Sequence, residues 1–272
     1  MSGPTRRGPS RGSRQLAIAG VFLRVGAMNE LQYRANFVVQ LFQSAIALVT
    51  GLAVLAIVFA QTTDLNGWSQ AELLAVMGVH ILMGGIIQAL IQPGMERLMA
   101  DIREGTLDFV LTKPEDAQLL VSVRQVRIWQ LVDVAIGLVV LGVAVARLGP
   151  VGPVEVGAFS IALVLGATMI YCFWLIVTVV AFWVVRMDQV AELFSGLYQS
   201  GRWPVTIYPG WLRISLTFLV PIAFAVTVPA EGLTGRLTPE TLALAAGFAG
   251  LLLIGTRWFW RFGLRHYSGA SA

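Results

Sequence analysis

The feature that most constrains this chain is a stretch without any charged residue, from Phe37 to Ala60. As an α-helix this stretch is about 36 Å long, enough to cross the roughly 30 Å hydrocarbon core of a bilayer. Its apolar residues run continuously rather than alternating, and this pattern favours a helix in lipid over a strand of a membrane barrel. Only 12% of the whole chain is charged, about half the usual share of a water-soluble domain. The sequence therefore predicts an integral membrane protein.

Further apolar runs predict an all-α, polytopic fold with six transmembrane helices. We place the spans at 37–60, 73–92, 128–148, 156–185, 212–230 and 241–260. Pro93-Gly94 is expected to end the second span, and Pro221 is expected to kink the fifth. The transmembrane domain covers 15–265, preceded by a disordered basic tail at 1–14 and followed by a cytoplasmic tail at 266–272.

The basic residues predict how these spans are oriented. With the amino terminus inside, the inner segments are 1–36, 92–127, 186–213 and the end of the chain from Arg257. All but two of the 19 basic residues, Arg147 and Arg236, then lie in inner segments. This asymmetry follows the positive-inside rule and places both termini in the cytoplasm.

The segment from Gln15 to Glu30 precedes the first span and is apolar on much of its circumference, with Arg24 among its polar positions. We interpret it as a helix lying in the inner membrane interface. The alternative is that it extends the first span. Charged residues at 24, 30 and 34 favour the interfacial interpretation.

The segment between the second and third spans is the most informative part of the chain. Its charged residues recur every three to five positions with apolar residues between them, which indicates an amphipathic helix. Gly105 suits the left-handed position that ends a helix, and Asp116 suits the start of the next one. Exposed Leu107, Phe109 and Leu111 would be costly in a solvated loop. We therefore favour a docking surface, or burial against neighbouring helices, over a loop in water.

Four stretches resemble one known family. They are Asn66-Gly67-Trp68-Ser69, the run from Arg103 to Asp108 with Leu111-Thr112-Lys113-Pro114, the run from Pro204 to Pro209, and Val220 to Phe224 with Pro229-Ala230. Together they resemble the ABC-2-type permeases, small six-span bacterial membrane subunits. The resemblance runs from about Leu16 to the end of the sixth span, and the run around Gly105 is its most specific part.

This resemblance implies an ATP-driven exporter in the bacterial cytoplasmic membrane. The chain would pair with a second permease, identical or similar, and with two ATPase subunits. The loop after the second span would carry the coupling helix that contacts the ATPase, and Gln15 to Glu30 would be a connecting helix. The implied coupling residues are Glu96, Arg97, Asp101, Arg103, Glu104, Gly105, Leu107, Asp108, Lys113, Pro114, Glu115 and Asp116.

The chain itself shows no sequence signal for catalysis. Its single lysine, Lys113, lies in Leu-Thr-Lys-Pro and cannot belong to a phosphate-binding loop. ATP and Mg²⁺ are therefore expected in the partner ATPase, with no cofactor in this chain. His80 and His266 are far apart in sequence, which argues against a metal site. No nucleic-acid partner is expected.

Two polar residues lie within predicted spans. Asp133 is either a functional acid or the partner of Arg127 or Arg186, and we favour the ion pair. His80 is either a proton relay or a neutral residue that hydrogen-bonds between helices, and we favour the second role.

Three rival functions compete with export. An ion-driven secondary transporter would need several acids at the membrane midplane and paired interrupted helices, and one shallow acid with no evident repeat argues against it. A membrane enzyme would need clustered catalytic polar residues, which the sequence does not show. A non-transporting scaffold or assembly protein has no sequence signature, so composition does not distinguish it from a transporter subunit. Aromatic spans, with Phe173, Trp174, Phe182, Trp183, Phe218 and Phe224, favour an amphipathic or hydrophobic cargo.

Overall fold

The computed structural model describes residues 34–113, 116–183 and 189–267. Within these ranges the regular elements are helices, and a single bridge between Leu65 and Trp68 is the only β-type pairing. Five helices are long and apolar enough to cross a membrane. The predicted all-α membrane fold is therefore confirmed. The expected tail at 1–14, the interfacial helix Gln15 to Glu30 and residues 268–272 lie outside the described ranges.

The α-helices of the described residues range in length from 4 to 28 residues. In chain order they are α1 (Arg34–Gln61), α2 (Gln70–Ile86), α3 (Gln92–Glu104), α4 (Asp108–Leu111), α5 (Ala117–Val123), α6 (Leu131–Leu148), α7 (Pro153–Val180), α8 (Val190–Gln199), α9 (Gly210–Ile214), α10 (Val228–Leu233) and α11 (Pro239–Leu264).

A tight turn joins α1 to α2, and we call the end of the bundle that holds it the turn end. Asn66 and Gly67 have φ angles of 54° and 81°, which a two-residue hairpin turn of this kind requires. Leu65 N donates to Trp68 O at 2.9 Å, and Trp68 N donates back at 3.1 Å. The opposite end of the bundle, which holds residues 105–127, is called the loop end.

The second span does not stop at Pro93-Gly94 as predicted. A π-helical turn over Ile87–Ile91 connects α2 to α3, and the continuous helix runs for 35 residues, from Gln70 to Glu104. Proline has no N–H, so the carbonyl four residues earlier loses its usual partner. Here that carbonyl belongs to Ala89, and it accepts the backbone N–H of Arg127 at 3.0 Å. A contact from the following segment therefore lets the helix pass through Pro93.

Helices α2 and α6 pack with their backbones in contact. A side chain added at Gly137 would place its Cβ 2.5 Å from Leu82 N, and one added at Gly85 would lie 2.7 Å from Val134 N. Small residues allow membrane helices to approach at the backbone, where packing is tight. This pair therefore depends on glycine at both positions.

The segment from Val190 to Ile207 crosses the bundle, although the sequence predicted that it lies in an inner loop. Near the start of this segment, the Phe194 ring packs 5.0 Å from that of Trp174 in the later half of α7. At its far end, Thr206 O accepts from Asn66 Nδ2 at 3.0 Å, and Thr206 Oγ1 accepts from Trp68 Nε1 at 3.2 Å. The segment therefore ends at the turn end.

The predicted fifth span at 212–230 is wrong, because this region enters and leaves the bundle at one end. Its two arms, Gly210–Leu219 and Ala223–Leu233, meet at 78° around Pro221. Arg213 donates to Thr206 O at 3.1 Å, and Arg236, just past the second arm, donates to Gly67 O at 2.6 Å. Both ends therefore lie at the turn end, and the region is a re-entrant hairpin. The expected kink at Pro221 is its tip.

Candidate functional site

The loop end carries a compact group of helices that we call the docking unit, residues 92–113 and 116–127. Gly105 ends α3 with a φ of 69°, as predicted from its lack of a side chain. Asp116 caps α5, accepting from Gln118 N at 3.0 Å and Leu119 N at 3.3 Å, also as predicted. Pro114 and Glu115, between these two points, lie outside the described residues.

Asp101 holds the interior of the docking unit together. It is 1% exposed, and its carboxylate pairs with Arg97 at 3.1 Å and with Arg124. The Thr106 hydroxyl adds a hydrogen bond at 3.1 Å. A buried carboxylate is tolerated only when it is paired and hydrogen-bonded in this way. Asp101 is thus a structural residue of the unit, and it is not available at its surface.

Two further ion pairs connect the docking unit. Arg127 Nη2 lies 2.5 Å from Glu96 Oε2 and joins α3 to the start of the third span. Arg257 of α11 pairs with Asp116 and also donates to Gln118 Oε1 at 2.7 Å. The Arg257 hydrogen bond holds the pKa of Asp116 below its ordinary value, against the opposing effect of burial.

The surface of the unit presents apolar and charged side chains side by side. Phe109 is 75% exposed and Leu111 is 36% exposed. Arg103, Glu104 and Lys113 are exposed around them, and Asp108 is half-buried. Leu107 was expected at the same surface but is fully buried. The short α4 helix explains this, because it points Leu107 and Val110 inward and Phe109 outward.

Asp133 does not pair with Arg127, one of the two partners suggested by the sequence, because Arg127 is engaged by Glu96. The other suggested partner, Arg186, lies outside the described residues, so that pairing stays a prediction. Two residues of α1 contact the acid: Gln40 Nε2 donates to Asp133 Oδ2 at 2.9 Å, and the Ser44 hydroxyl bonds Oδ1. Their spacing of four residues places both on one face of the first span, a pattern that is visible in the sequence.

His80 contacts its neighbouring helix by stacking, where a side-chain hydrogen bond was expected. Its ring lies 4.6 Å from that of Tyr198, at an interplanar angle of 17°. The Tyr198 hydroxyl donates to the backbone carbonyl of His80 at 2.8 Å. Among the described residues, Nδ1 of His80 has no hydrogen-bond partner.

A sequence profile described as an ABC-2 family transporter protein matches residues 45–271. The chain belongs to this ABC-2 transporter family. No curated protein and no solved structure matches it.

The ABC-2 transporter match includes the docking unit, the segment that crosses at 190–207 and the re-entrant hairpin. The predicted resemblance is confirmed, and the chain is a membrane component of a transporter. Membership of the ABC-2 family does not by itself assign a role to any single residue. The individual coupling roles given to the docking unit from the sequence therefore stay predictions.

Proposed function

We propose that this chain is the permease subunit of an ATP-driven exporter whose ATPase is a separate chain. The observation that carries the proposal is the docking unit of an ABC-2 family member. It presents Phe109 and Leu111 beside charged side chains, beyond the apolar part of the second span. An exposed apolar centre with a charged rim is typical of a protein-binding surface.

In this proposal the loop end faces the cytoplasm of a bacterial cell, as the placement of Lys and Arg favours. Two ATPase subunits bind ATP and Mg²⁺, and one of them contacts each permease through the docking unit. A second permease, identical or similar, completes the pathway. Closure of the ATPase pair moves the docking units and switches the pathway from inward-facing to outward-facing. The cargo is an amphipathic or hydrophobic molecule.

Affinity purification of the tagged full-length chain from native membranes, followed by an ATP hydrolysis assay, tests this proposal. We expect an ATPase to copurify, with Phe109→Ala lowering its affinity for the chain at least about tenfold, because an apolar anchor at the centre of an interface dominates binding. Phe42→Ala is the matched control, since Phe42 is 68% exposed on the apolar surface of α1. It should leave the affinity unchanged.

The proposal is wrong if no ATPase copurifies, or if Phe109→Ala and Phe42→Ala behave alike. Transport in vesicles that depends on an ion gradient and not on ATP would instead support a secondary transporter. A chain that shows neither dependence would fit a scaffold.

A further inference from the structure

A polar cavity lies inside the bundle, away from the docking unit. Its volume is about 130 Å³, and it lies between α1, α2, α6 and the end of α8. Its lining includes Asp133, Arg202, His80, Gln88 and Gln199. Ionisable residues at membrane depth are expensive and usually mark a functional site. The proposed contact with an ATPase does not involve these residues.

Two opposite charges line the cavity without meeting. No ion pair joins Asp133 to Arg202, although both border the same space. The Asp133 carboxylate is positioned by Gln40 and Ser44. Among the described residues, Arg202 has no hydrogen-bond acceptor and no ion-pair partner. Arg202 is partly exposed, so its guanidinium is available to an anionic group that enters the cavity.

His80 is a third polar residue of the cavity wall. The residue is only 7% exposed, and among the described residues its Nδ1 has no hydrogen-bond partner. Stacking on Tyr198 and the hydrogen bond to its backbone carbonyl hold the ring in place. The ring therefore forms a fixed part of the wall between Asp133 and Arg202.

The mouth of the cavity is polar as well. Gln88 and Gln199 are both exposed where they border it. On α8, Glu192, Ser195 and Gln199 are exposed at spacings of three and four, so they share one face. Because a polar face of a crossing segment is costly against lipid tails, we expect this face to be covered by water or by another polar surface. The mouth of the cavity therefore presents polar side chains to an entering ligand.

We propose that this cavity binds a small zwitterionic headgroup, with its ammonium near Asp133 and its phosphate or carboxylate near Arg202. A simple anion would be repelled by Asp133, and a simple cation by Arg202, whereas a zwitterion satisfies both. The volume of about 130 Å³ is enough for a small headgroup and too small for acyl chains as well. This inference rests on the proposed export function and names the headgroup of its amphipathic cargo.

Calorimetric binding to the purified full-length chain in a maltoside detergent tests the proposal. The probes are short-chain phosphatidylethanolamine, and phosphatidylglycerol and diacylglycerol with the same chains. We expect phosphatidylethanolamine to bind at least about tenfold tighter than either, as charge-assisted hydrogen bonds at both ends would give. Equal binding of the three lipids would overturn the proposal, and this comparison needs no variant.

Variants then assign the site. Arg202→Gln should lower the affinity for phosphatidylethanolamine about tenfold, and Arg202→Lys should restore part of it. The matched control is Arg147→Gln, at an exposed arginine near the turn end of α6. If Arg202→Gln melts like wild type and binds phosphatidylethanolamine with unchanged affinity, then Arg202 is not part of the site and the assignment is wrong.

Binding of free phosphoethanolamine distinguishes a lipid headgroup from a small soluble zwitterion as the ligand. Binding of the lipid alone supports a lipid headgroup, and binding of both supports a small zwitterion as the ligand. These measurements involve no ATPase. Failure of headgroup binding is therefore distinguishable from failure of the export function, which the copurification experiment decides.

Discussion

At the scale of single residues, several charged side chains of the docking unit hold its helices together through ion pairs. Asp101, Glu96 and Asp116 were all assigned to coupling from the sequence, yet each makes an ion pair within the chain. Sequence spacing placed them correctly on one loop but could not show which way they face. Local chemistry was more informative at Gly105 and Asp116, because capping depends on neighbouring backbone alone.

Asp101→Asn should destabilise the protein strongly, because it leaves Arg124 without its buried partner. Breaking one side of a buried ion pair costs about 3–5 kcal/mol in the free energy of unfolding. Glu104→Gln removes one negative charge from the same helix at an exposed position and should change stability little. Thermal melts of the two variants in detergent provide the measurement. Similar melting temperatures would show that Asp101 has no such structural role.

At the scale of elements, the sequence predicted the first, third, fourth and sixth spans to within a few residues of α1, α6, α7 and α11. Long apolar helices in lipid are readable because the bilayer demands their length and composition. The crossing at 190–207 was missed because its polar face, with Arg202 and Gln199, is typical of an interfacial segment. The hairpin was predicted as a span because 212–230 is apolar enough to cross a membrane. The hydrogen bonds of Arg213 and Arg236 show that both of its ends lie at the turn end, and the sequence does not reveal these contacts.

The contact between α2 and α6 predicts a sharp difference between two glycines of one helix. Gly137→Val should destabilise the bundle by about 1–3 kcal/mol or more, since the new side chain meets the Leu82 backbone and cannot be relieved by a rotamer change. Gly142→Val is the control, because nothing lies within 4 Å of its added Cβ. Melting temperatures of both variants should separate them. Equal losses would mean that the helices are not packed at Gly137.

At the scale of the whole molecule, the described residues hold five helices long and apolar enough to span a membrane. The segment 190–207 runs between the two ends of the bundle, and the re-entrant hairpin follows it. Because 206–213 lies at the turn end, Arg213 lies with Arg147 and Arg236, away from the docking unit. Most basic residues of the described ranges lie on the loop-end side, so the charge asymmetry survives this correction. Sequence composition thus identified the long apolar helices but not the path of the chain through 190–233.

Cysteine labelling in intact cells tests this arrangement, in a Cys172→Ser background because Cys172 is the one native cysteine. An impermeant maleimide should label Trp211→Cys and Thr63→Cys, which are both exposed at the turn end. Phe109→Cys should react only after the cells are permeabilised, because it lies at the loop end. If Trp211→Cys instead behaves like Phe109→Cys, then 186–213 faces the cytoplasm, as the sequence first indicated.

The uninterrupted passage of the second span through Pro93 has a mechanical consequence. At 35 residues the helix is about 52 Å long, so it exceeds the roughly 30 Å hydrocarbon layer and projects well beyond it. One continuous helix therefore joins the docking unit to His80 at the wall of the polar cavity. The π turn and the Ala89–Arg127 hydrogen bond lie between these two points. Because no break separates them, we expect a tilt of the helix at the docking unit to displace His80 as well.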